Sequence, residues 1–255
     1  MSAVVIIPSR LNSKRFPEKA MHSINGVPMI VHVWKQACNA KCGDVVVATP
    51  DDAIAECITN AGGEAILTDP SHPTGSDRVF EAFIRSRKDC SVIVNLQGDL
   101  PIFPPEVLRP CVEFLEREDQ WDMVTLVQEI TQDEAQNPQV VKTGWSFDVD
   151  ALENWGKIWY FSRAPLIGRF HNRSGFLKHI GAYFYRPRAL KDWCRQPVSP
   201  LEEAEDIEAL RSLQMGWNIA GYCVHPSRKF CSVDVPDDIK NVTRIKEFLP
   251  KYHGI

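Results

Sequence analysis

Apolar residues in the first half of the chain follow two alternating patterns. Short continuous apolar runs, which predict buried strands, are separated by longer segments whose apolar residues recur at helical spacing. The predicted strands are Val4–Ile7, Val45–Ala48, Glu64–Leu67 and Val92–Leu96, and the predicted helices are Met29–Ala40, Ala53–Ala61, Arg78–Lys88 and Glu106–Glu116. Because strands alternate with helices, we expect an α/β fold built on a doubly wound, mostly parallel sheet.

The pattern changes after about residue 121. Strand-like runs there are separated by long irregular connections, which is typical of mixed or antiparallel pairing. The strands predicted in this half are Met123–Ile130, Val140–Lys142, Lys157–Phe161, His179–Tyr185 and Ile219–Val224, and the helices are Leu201–Met215 and Asp237–Leu249. We expect a single domain over residues 1–255: about 1–120 form the main sheet, about 121–200 an inserted smaller lobe, and about 201–255 return to the main sheet.

Composition narrows the class of protein. The hydrophobic content of 44% and the charged content of 24% are ordinary for a globular domain, and the net charge of -4 argues against a general nucleic-acid binder. No apolar run approaches the roughly 20 residues that span a bilayer, so no membrane insertion is expected. The eight cysteines are scattered without a CxxC pair, which favours reduced thiols in a cytoplasmic protein.

The loop after the first strand is strongly cationic. Arg10, Lys14, Arg15 and Lys19 follow the apolar run closely, with Glu18 among them. Ligands of open α/β sheets collect where parallel strands end, and a basic loop at that edge suits a polyphosphate. A solvated turn with clustered charges is the alternative interpretation.

Two aspartates end short extended segments that lie far apart in sequence. Asp99 closes the stretch NLQGD after the fourth strand, and Asp234 closes SVD near the C-terminus. Two carboxylates that converge beside a basic loop would suit Mg²⁺, which is usually held by one or two carboxylates together with phosphate oxygens and water. The alternatives are a Gly-Asp turn at Asp99 and a helix cap at Asp234.

Three further segments carry candidate binding groups. In TGSDR (residues 74–78), Thr74 or Ser76 caps a helix, and its first amides together with Arg78 suit an anion or a nucleobase. Arg163 and His179 lie near the ends of two later strands, where they suit a carboxylate and hydroxyls. The alternatives are a plain helix cap and a structural histidine.

The motifs, taken together and in this order, resemble the KDO cytidylyltransferases, also called CMP-KDO synthetases. The matching stretches are IIPSR, KRFPEK, TGSDR, NLQGD, NP..VK, YFSRA, HIGAY, SPLE.AEDIE.LR and VD.P.DI, and they run from Val4 to about Lys246. The resemblance implies a Rossmann-like fold and a cytoplasmic, Mg²⁺-dependent homodimer. Its implied reaction transfers CMP from CTP to the anomeric hydroxyl of KDO or a variant such as 8-amino-KDO, for lipopolysaccharide or capsule synthesis.

The resemblance also assigns roles by motif position. It implies that residues 1–120 bind CTP and that the inserted lobe binds the acceptor and forms the dimer. The residues implied for CTP are Arg10, Ser13, Arg15, Lys19, Gly75, Ser76, Arg78 and Asp99. The metal ligands implied are Asp99 and Asp234, which with Arg10 and Lys19 form the catalytic set. The residues implied for the sugar acid are Gln97, Arg163, His179, Tyr183 and Glu208.

Two positions depart from the pattern of the family on the acceptor side. Leu100 replaces the acid of the usual QGDEP, and Ala209 replaces the Gln of the usual LEQLR. A different small acid or phosphonate acceptor is therefore one alternative, and a non-catalytic nucleotide sensor is another. A sugar-1-phosphate nucleotidyltransferase is disfavoured because the first loop, residues 9–13, contains no glycine.

Overall fold

The computed structural model describes residues 3–13, 15–146, 154–166 and 176–244. The chain divides into two compact units. The first consists of Met1–Val112 and Arg228–Ile255, and the second of Glu113–Ser227. None of the helices in the described ranges has the length and apolarity that crossing a membrane requires.

The first unit contains a parallel sheet flanked by helices. Its strands are β1 (Ala3–Pro8), β2 (Ser23–Ile24), β3 (Val27–Pro28), β4 (Gly43–Thr49), β5 (Glu64–Leu67) and β6 (Val92–Leu96). Its helices are α1 (Met29–Asn39), α2 (Asp52–Asn60), α3 (Gly75–Ser86) and the start of α4 (Leu108–Arg117). The sheet order is β5-β4-β1-β6 with parallel pairs, and β2 and β3 form a separate hairpin. Every residue of β1 and β6 is buried, as expected for strands covered on both faces.

The second unit contains a mixed sheet. Its strands are β7 (Met123–Ile130), β8 (Lys142–Ser146), β9 (Trp155–Ser162), β10 (Phe176–Tyr185) and β11 (Ile219–Val224). Its helices are α5 (Gln132–Ala135), α6 (Pro187–Cys194), α7 (Pro200–Glu205) and α8 (Ala209–Gln214), and α9 (Asp238–Arg244) belongs to the first unit. The order is β10-β7-β11-β9-β8, and β8 also pairs with β10, so the pairings close into a ring. Among the strand pairs described in this unit, β7 and β11 are parallel and the others are antiparallel.

The predicted fold class is confirmed, and so are the bounds of β5, β6, β7 and β11. The lobe predicted to be mixed or antiparallel is the second unit. That unit extends to Ser227, so α7, α8 and β11 belong to it rather than to the first unit. The division of a single domain at about residue 201 stays a prediction.

The strand predicted at Val140–Lys142 is wrong in its start. The chain turns at Asn137–Val140, where the amide of Val140 donates to the carbonyl of Asn137 at 3.1 Å, and β8 begins only at Lys142. The ammonium of Lys142 is buried and donates to the carbonyls of Asn137 (3.0 Å) and Val140 (2.7 Å), which stabilises the turn.

The helix predicted over Leu201–Met215 is broken into α7 and α8. Asp206, between them, has a left-handed backbone with φ 53°. The side chain of Arg163 donates to the carbonyls of Glu205 (2.8 Å) and Asp206 (3.1 Å), which gives carbonyls at the end of α7 a partner outside the helix. The predicted helix Asp237–Leu249 is observed as α9 up to Arg244, and its remainder lies outside the described residues.

Candidate active site

The loop after β1 is anchored from within the protein. The amide of Leu11 donates to Oδ2 of Asp51 at 2.8 Å, and the amide of Glu18 donates to the carbonyl of Leu11 at 2.9 Å. Phe16 is buried in an apolar cluster that includes Val233. The backbone is thereby fixed, although basic side chains on both sides of these anchors reach solvent. Lys14, one of the predicted cations, lies outside the described residues.

Lys19 joins the two aspartates that the sequence singled out. Its Nζ lies 2.7 Å from Oδ2 of Asp99 and 3.9 Å from Oδ1 of Asp234, and it donates to the carbonyl of Val233 at 3.0 Å. Nη2 of Arg15 lies 2.6 Å from Oδ1 of Asp234. The structure therefore brings together four predicted residues from three distant stretches of sequence.

Backbone contacts explain why the two aspartates converge. Asp99 follows β6 through Gly98, where an added Cβ would lie 2.7 Å from the carbonyl oxygen of Pro8. The carbonyl of Asp99 accepts from the amide of Val233 at 2.8 Å, and an antiparallel β-bridge pairs Ile102 with Cys231. Only glycine at position 98 allows the backbone before Asp99 to approach that of Pro8 so closely.

The helix-cap interpretation of Asp234 is wrong. Oδ2 of Asp238 accepts from the amides of Asp234 (2.8 Å) and Val235 (3.0 Å) just before α9. Asp238 therefore holds the backbone just before α9, and the Asp234 carboxylate contacts Arg15 and Lys19.

The pKa of Asp234 is raised above its ordinary value. Burial is the main cause and the nearby charge of Asp99 adds to it, whereas Lys19 and Arg15 oppose the shift. Two carboxylates that lie close together and share one ammonium are suited to a second, harder cation. In the described ranges no group of three or more His, Cys, Asp or Glu is placed to hold a metal, so an ion here would need substrate oxygens or water as well.

The N-terminus of α3 is capped by Thr74, one of the two caps that the sequence predicted, and Ser76 lies within the helix. Its hydroxyl accepts from the amide of Asp77 at 3.2 Å. Gly75 lies against β1, because an added Cβ would be 3.5 Å from Cγ of Pro8 and 4.0 Å from Nε2 of Gln97. Gly75 and Gln97, two predicted site residues, are thus close to each other at the ends of β1 and β6.

The side chains of Ser76 and Arg78 are both buried. Oγ of Ser76 accepts from Nδ2 of Asn95 at 3.1 Å. Nη1 of Arg78 donates to Oγ1 of Thr68 at 2.7 Å, and burial together with the charge of Arg10 lowers its pKa. Their role toward cytidine stays a prediction, since both side chains already have protein partners.

Ser13, Arg10 and Leu100 complete the residues of interest in this unit. The amide of Ser13 donates to the carbonyl of Leu11 at 2.8 Å and its side chain is half-buried, whereas Arg10 is exposed. Leu100, which departs from the family pattern, is buried. The uncharged side chain next to Asp99 in sequence therefore lies inside the protein, where the usual pattern has an acid.

In the second unit, Arg163 is tied to backbone carbonyls. Besides Glu205 and Asp206, its guanidinium donates to the carbonyl of Pro138 at 3.2 Å. Its own amide donates to Oε2 of Glu205 at 2.8 Å. Most of the donors that the sequence assigned to a carboxylate therefore hold the break between α7 and α8 in place.

His179 and Tyr183 lie side by side on β10. Their ring centroids are 5.2 Å apart, and Nε2 of His179 lies 2.9 Å from Oγ1 of Thr125. Burial lowers the pKa of His179 to about 3. Burial also raises the pKa of Tyr183, with a contribution from the charge of Glu208, so these three predicted residues form one group.

Two positions, Asp51 and Thr125, carried no sequence signal that singled them out, and a third, Lys142, lay in the matching stretch NP..VK without an assigned role. Asp51 anchors the basic loop, Thr125 contacts His179, and Lys142 supports the turn next to Arg163. Each acts through a contact distant in sequence. Only the acidic pair at 51–52, after β4, could have suggested such a role.

Comparison with known proteins gives a family match. The cytidylyltransferase family model matches residues 4–219. A 3-deoxy-manno-octulosonate cytidylyltransferase of Paramagnetospirillum magneticum is 37% identical over 94% of this chain and 96% of its own length. The corresponding protein of Parvibaculum lavamentivorans is 40% identical over 93% of this chain and 90% of its own length.

Solved structures give the same result. A structure of CMP:2-keto-3-deoxy-manno-octonic acid synthetase complexed with CTP matches with a TM-score of 0.85 and 31% identity, over 97% of this chain and 99% of the other. UDP-glucose pyrophosphorylase, at a TM-score of 0.68 and 13% identity over 97% of this chain and 98% of the other, shares the fold.

Proposed function

The chain belongs to the cytidylyltransferase family, and we propose that it transfers CMP from CTP to the anomeric hydroxyl of 3-deoxy-manno-octulosonate (KDO). Pyrophosphate is released, and the product serves lipopolysaccharide synthesis. The observation that carries the proposal is the cluster in which Lys19 bridges Asp99 and Asp234, with Arg15 beside them. The two cations would neutralise a triphosphate, and the two carboxylates would hold the metal ion that accompanies it.

We assign CTP to the first unit. The basic side chains of the β1 loop neutralise the triphosphate, and the start of α3 lies near the cytidine. The residues assigned are Arg10, Ser13, Arg15, Lys19, Gly75, Ser76, Arg78 and Asp99. Support comes from the anchoring of that loop by Asp51, because fixed cations need no reorganisation when the phosphates bind.

Asp99 and Asp234 are the residues we assign to Mg²⁺. Their oxygens fit a hard cation, and the ammonium of Lys19 between them already shows that this position attracts positive charge. When bound, such an ion would neutralise charge on the phosphate oxygens. Arg10 and Lys19 complete the catalytic set.

The second unit supplies the residues we assign to the sugar acid. They are Arg163, His179, Tyr183 and Glu208, together with Gln97 of the first unit. The close contact of His179 with Tyr183 and the charge of Glu208 on Tyr183 support a shared role for three of them.

The site must stabilise the negative charge that builds up during the reaction. The anomeric oxygen attacks the α-phosphorus, the bond to the β-phosphate oxygen breaks, and negative charge collects on the leaving pyrophosphate. Positioning and cation stabilisation supply the rate without a covalent enzyme intermediate. Lys19 and Arg15 are the described cations held closest to the two aspartates.

We further propose a cytoplasmic homodimer. None of the eight cysteines, all of which lie in the described ranges, forms a disulfide bond, which fits a reducing compartment. Trp159 on β9, in the lobe implied for dimer formation, is 57% exposed, and a large exposed aromatic side chain is typical of an interface.

Pyrophosphate release with CTP and Mg²⁺ tests the proposal across KDO, 8-amino-KDO, sialic acids and small phosphonates. Release with KDO, and CMP-KDO as the product, is the expected result. Release with another acceptor alone would show that Leu100 and Ala209 mark a different substrate. CTP binding without release with any acceptor would refute the enzymatic function.

A further inference from the structure

A buried hydroxyl in the second unit holds the side chain of His179. The half-buried His179 lies on β10, and its Nε2 is 2.9 Å from Oγ1 of Thr125 on β7. Thr125 is fully buried, and its hydroxyl also donates to the backbone carbonyl of Ala182 at 2.9 Å. One hydroxyl therefore has two partners, a carbonyl and a ring nitrogen.

These two contacts determine which atoms carry protons. A carbonyl oxygen only accepts, so the single hydroxyl proton of Thr125 goes to Ala182. The hydroxyl oxygen is then an acceptor toward His179, and Nε2 of the ring must carry a hydrogen. In the neutral ring the other nitrogen, Nδ1, has an unshared electron pair and no hydrogen.

The surroundings of the ring favour its neutral form. Phe161 and Tyr183 contact it with centroid distances of 5.0 Å and 5.2 Å. Burial is the cause that lowers the pKa of His179 to about 3, so the ring is uncharged near neutral pH. In the described part of the chain, Nδ1 has no hydrogen-bond partner, whereas Nε2 has Thr125.

A bulge in β10 creates the arrangement. Ile180 pairs with Leu126 and Tyr183 pairs with Thr125, so β10 has two extra residues between these pairs. The carbonyl of Ala182 lies in this bulge, where it accepts from the Thr125 hydroxyl. Bulges of this kind change the direction of side chains next to functional sites.

We propose that Thr125 is a positioning residue that fixes His179 as the neutral tautomer with hydrogen on Nε2. Nδ1 then accepts a hydrogen bond from a hydroxyl of the sugar acid and does not pair with its carboxylate, which has no proton to donate. The tautomer follows from contacts within the second unit alone. The acceptor role of His179 rests on the proposed function.

Nitrogen NMR on the full-length protein with ¹⁵N-labelled histidine tests the tautomer. Long-range correlations at neutral pH should show hydrogen on Nε2 and a bare Nδ1, with the signal assigned by its loss in His179→Gln. In Thr125→Val, hydrogen on Nδ1 should gain population because the acceptor at Nε2 is lost. Hydrogen on Nδ1 in the wild-type protein, or a doubly protonated ring, would overturn the proposal.

Kinetics test the role toward the acceptor. Thr125→Val should raise KM for KDO about tenfold, the loss of one well-placed hydrogen bond, and leave KM for CTP unchanged. Thr125→Ser should have the wild-type KM for KDO, because serine keeps the hydroxyl. Thr143→Val is the matched control, because it removes another buried hydroxyl on a carbonyl, that of Leu177, without touching a histidine.

The outcomes separate the two proposals. Thr125 would be only a structural residue if Thr125→Val changed KM for KDO and KM for CTP equally. The same would follow if KM for KDO were as high in Thr125→Ser as in Thr125→Val. If Thr125→Val does not fold, Thr125→Ser and the wild-type spectrum still decide. Absence of CMP-KDO formation by the wild-type protein would refute the proposed function, whereas the NMR result on the tautomer would stand or fall independently.

Discussion

At the residue scale, activity depends most on the two carboxylates that share Lys19. Asp99→Asn and Asp234→Asn each keep the side-chain shape and remove the charge. We expect each to lower turnover by on the order of 10²–10³ or more, because a carboxylate proposed to hold the cation that neutralises the reacting phosphates is lost. Pyrophosphate release at saturating CTP measures the effect.

Asp237→Asn is the matched control for these two variants. Asp237 lies near Asp234 in sequence, but its carboxylate is exposed and paired with Lys240. Its replacement should leave turnover unchanged. Full activity in Asp99→Asn would contradict the proposed metal site.

Gly98 is a second residue on which the site depends. In Gly98→Ala, the added Cβ would meet the backbone oxygen of Pro8 at 2.7 Å, and backbone cannot move as a side-chain end can. We expect a loss of about 1–3 kcal/mol in the free energy of unfolding, together with reduced activity through displacement of Asp99. Denaturant titration and pyrophosphate release measure the two effects.

Gly144→Ala provides the comparison for Gly98→Ala. Its Cβ would meet its nearest neighbours at 3.8 Å, an ordinary contact distance. The stability of this variant should stay close to that of the wild type. Equal stability of the two variants would show that the approach of β1 to β6 is looser than the structure has it.

His179 makes stability depend on pH. The unfolded chain binds a proton there near the ordinary pKa of 6.5, whereas the folded protein binds it only near 3. The unfolded state therefore binds more protons between these values, and stability falls as pH is lowered below 6.5, by at most about 1.4 kcal/mol per pH unit from this residue. Unfolding free energies between pH 7 and pH 5 should fall less steeply in His179→Gln. Identical slopes would contradict the burial of the neutral ring.

At the scale of elements, a buried ion pair joins α7 to α8. The guanidinium of Arg211 donates to both carboxylate oxygens of Glu202, at 2.6 Å and 2.7 Å, and lies 3.7 Å from the ring centre of Trp193. Glu202 also accepts from the amide of Ser199 at the start of α7. The pair therefore holds together two helices that the sequence pattern alone makes into one.

Arg211→Met should destabilise the protein by about 3–5 kcal/mol, because it leaves the Glu202 carboxylate buried and unpaired. Denaturant unfolding measures the change. The second substitution Glu202→Gln in the same chain should recover part of it. Lys240→Met, which breaks an exposed pair in α9, should leave the midpoint unchanged. A small loss in Arg211→Met would mean that water reaches Glu202.

At the scale of the whole molecule, the proposed dimer is directly measurable. Light scattering coupled to gel filtration should give about twice the chain mass of 28.9 kDa. Trp159→Glu places a charge on an exposed strand position and should shift the mass toward that of one chain. Leu67→Glu, which changes an exposed apolar residue of β5 in the first unit, is the control. A monomer in the wild type would refute the proposed association.

The sequence by itself determined the fold class and the strands that lie inside a sheet. Apolar runs such as Val92–Leu96 favour buried strands, so β6, β7 and β11 were predicted with their observed bounds. The edge strand β5 was predicted with its observed bounds as well, although none of its residues is fully buried. Motif order also determined the family, because many short motifs in one order are specific even when each alone is not. The cationic loop and the two aspartates were identified from the same sequence patterns.

Only the tertiary structure decided how these residues are held. Contacts distant in sequence separate α7 from α8 through Arg163, anchor the basic loop through Asp51, and pair His179 with Thr125. The structure also shows that Ser76 and Arg78 are buried and contact Asn95 and Thr68, which no local pattern predicts. The physical reason is that local propensity depends on neighbours along the chain, whereas hydrogen bonds and burial depend on neighbours in space.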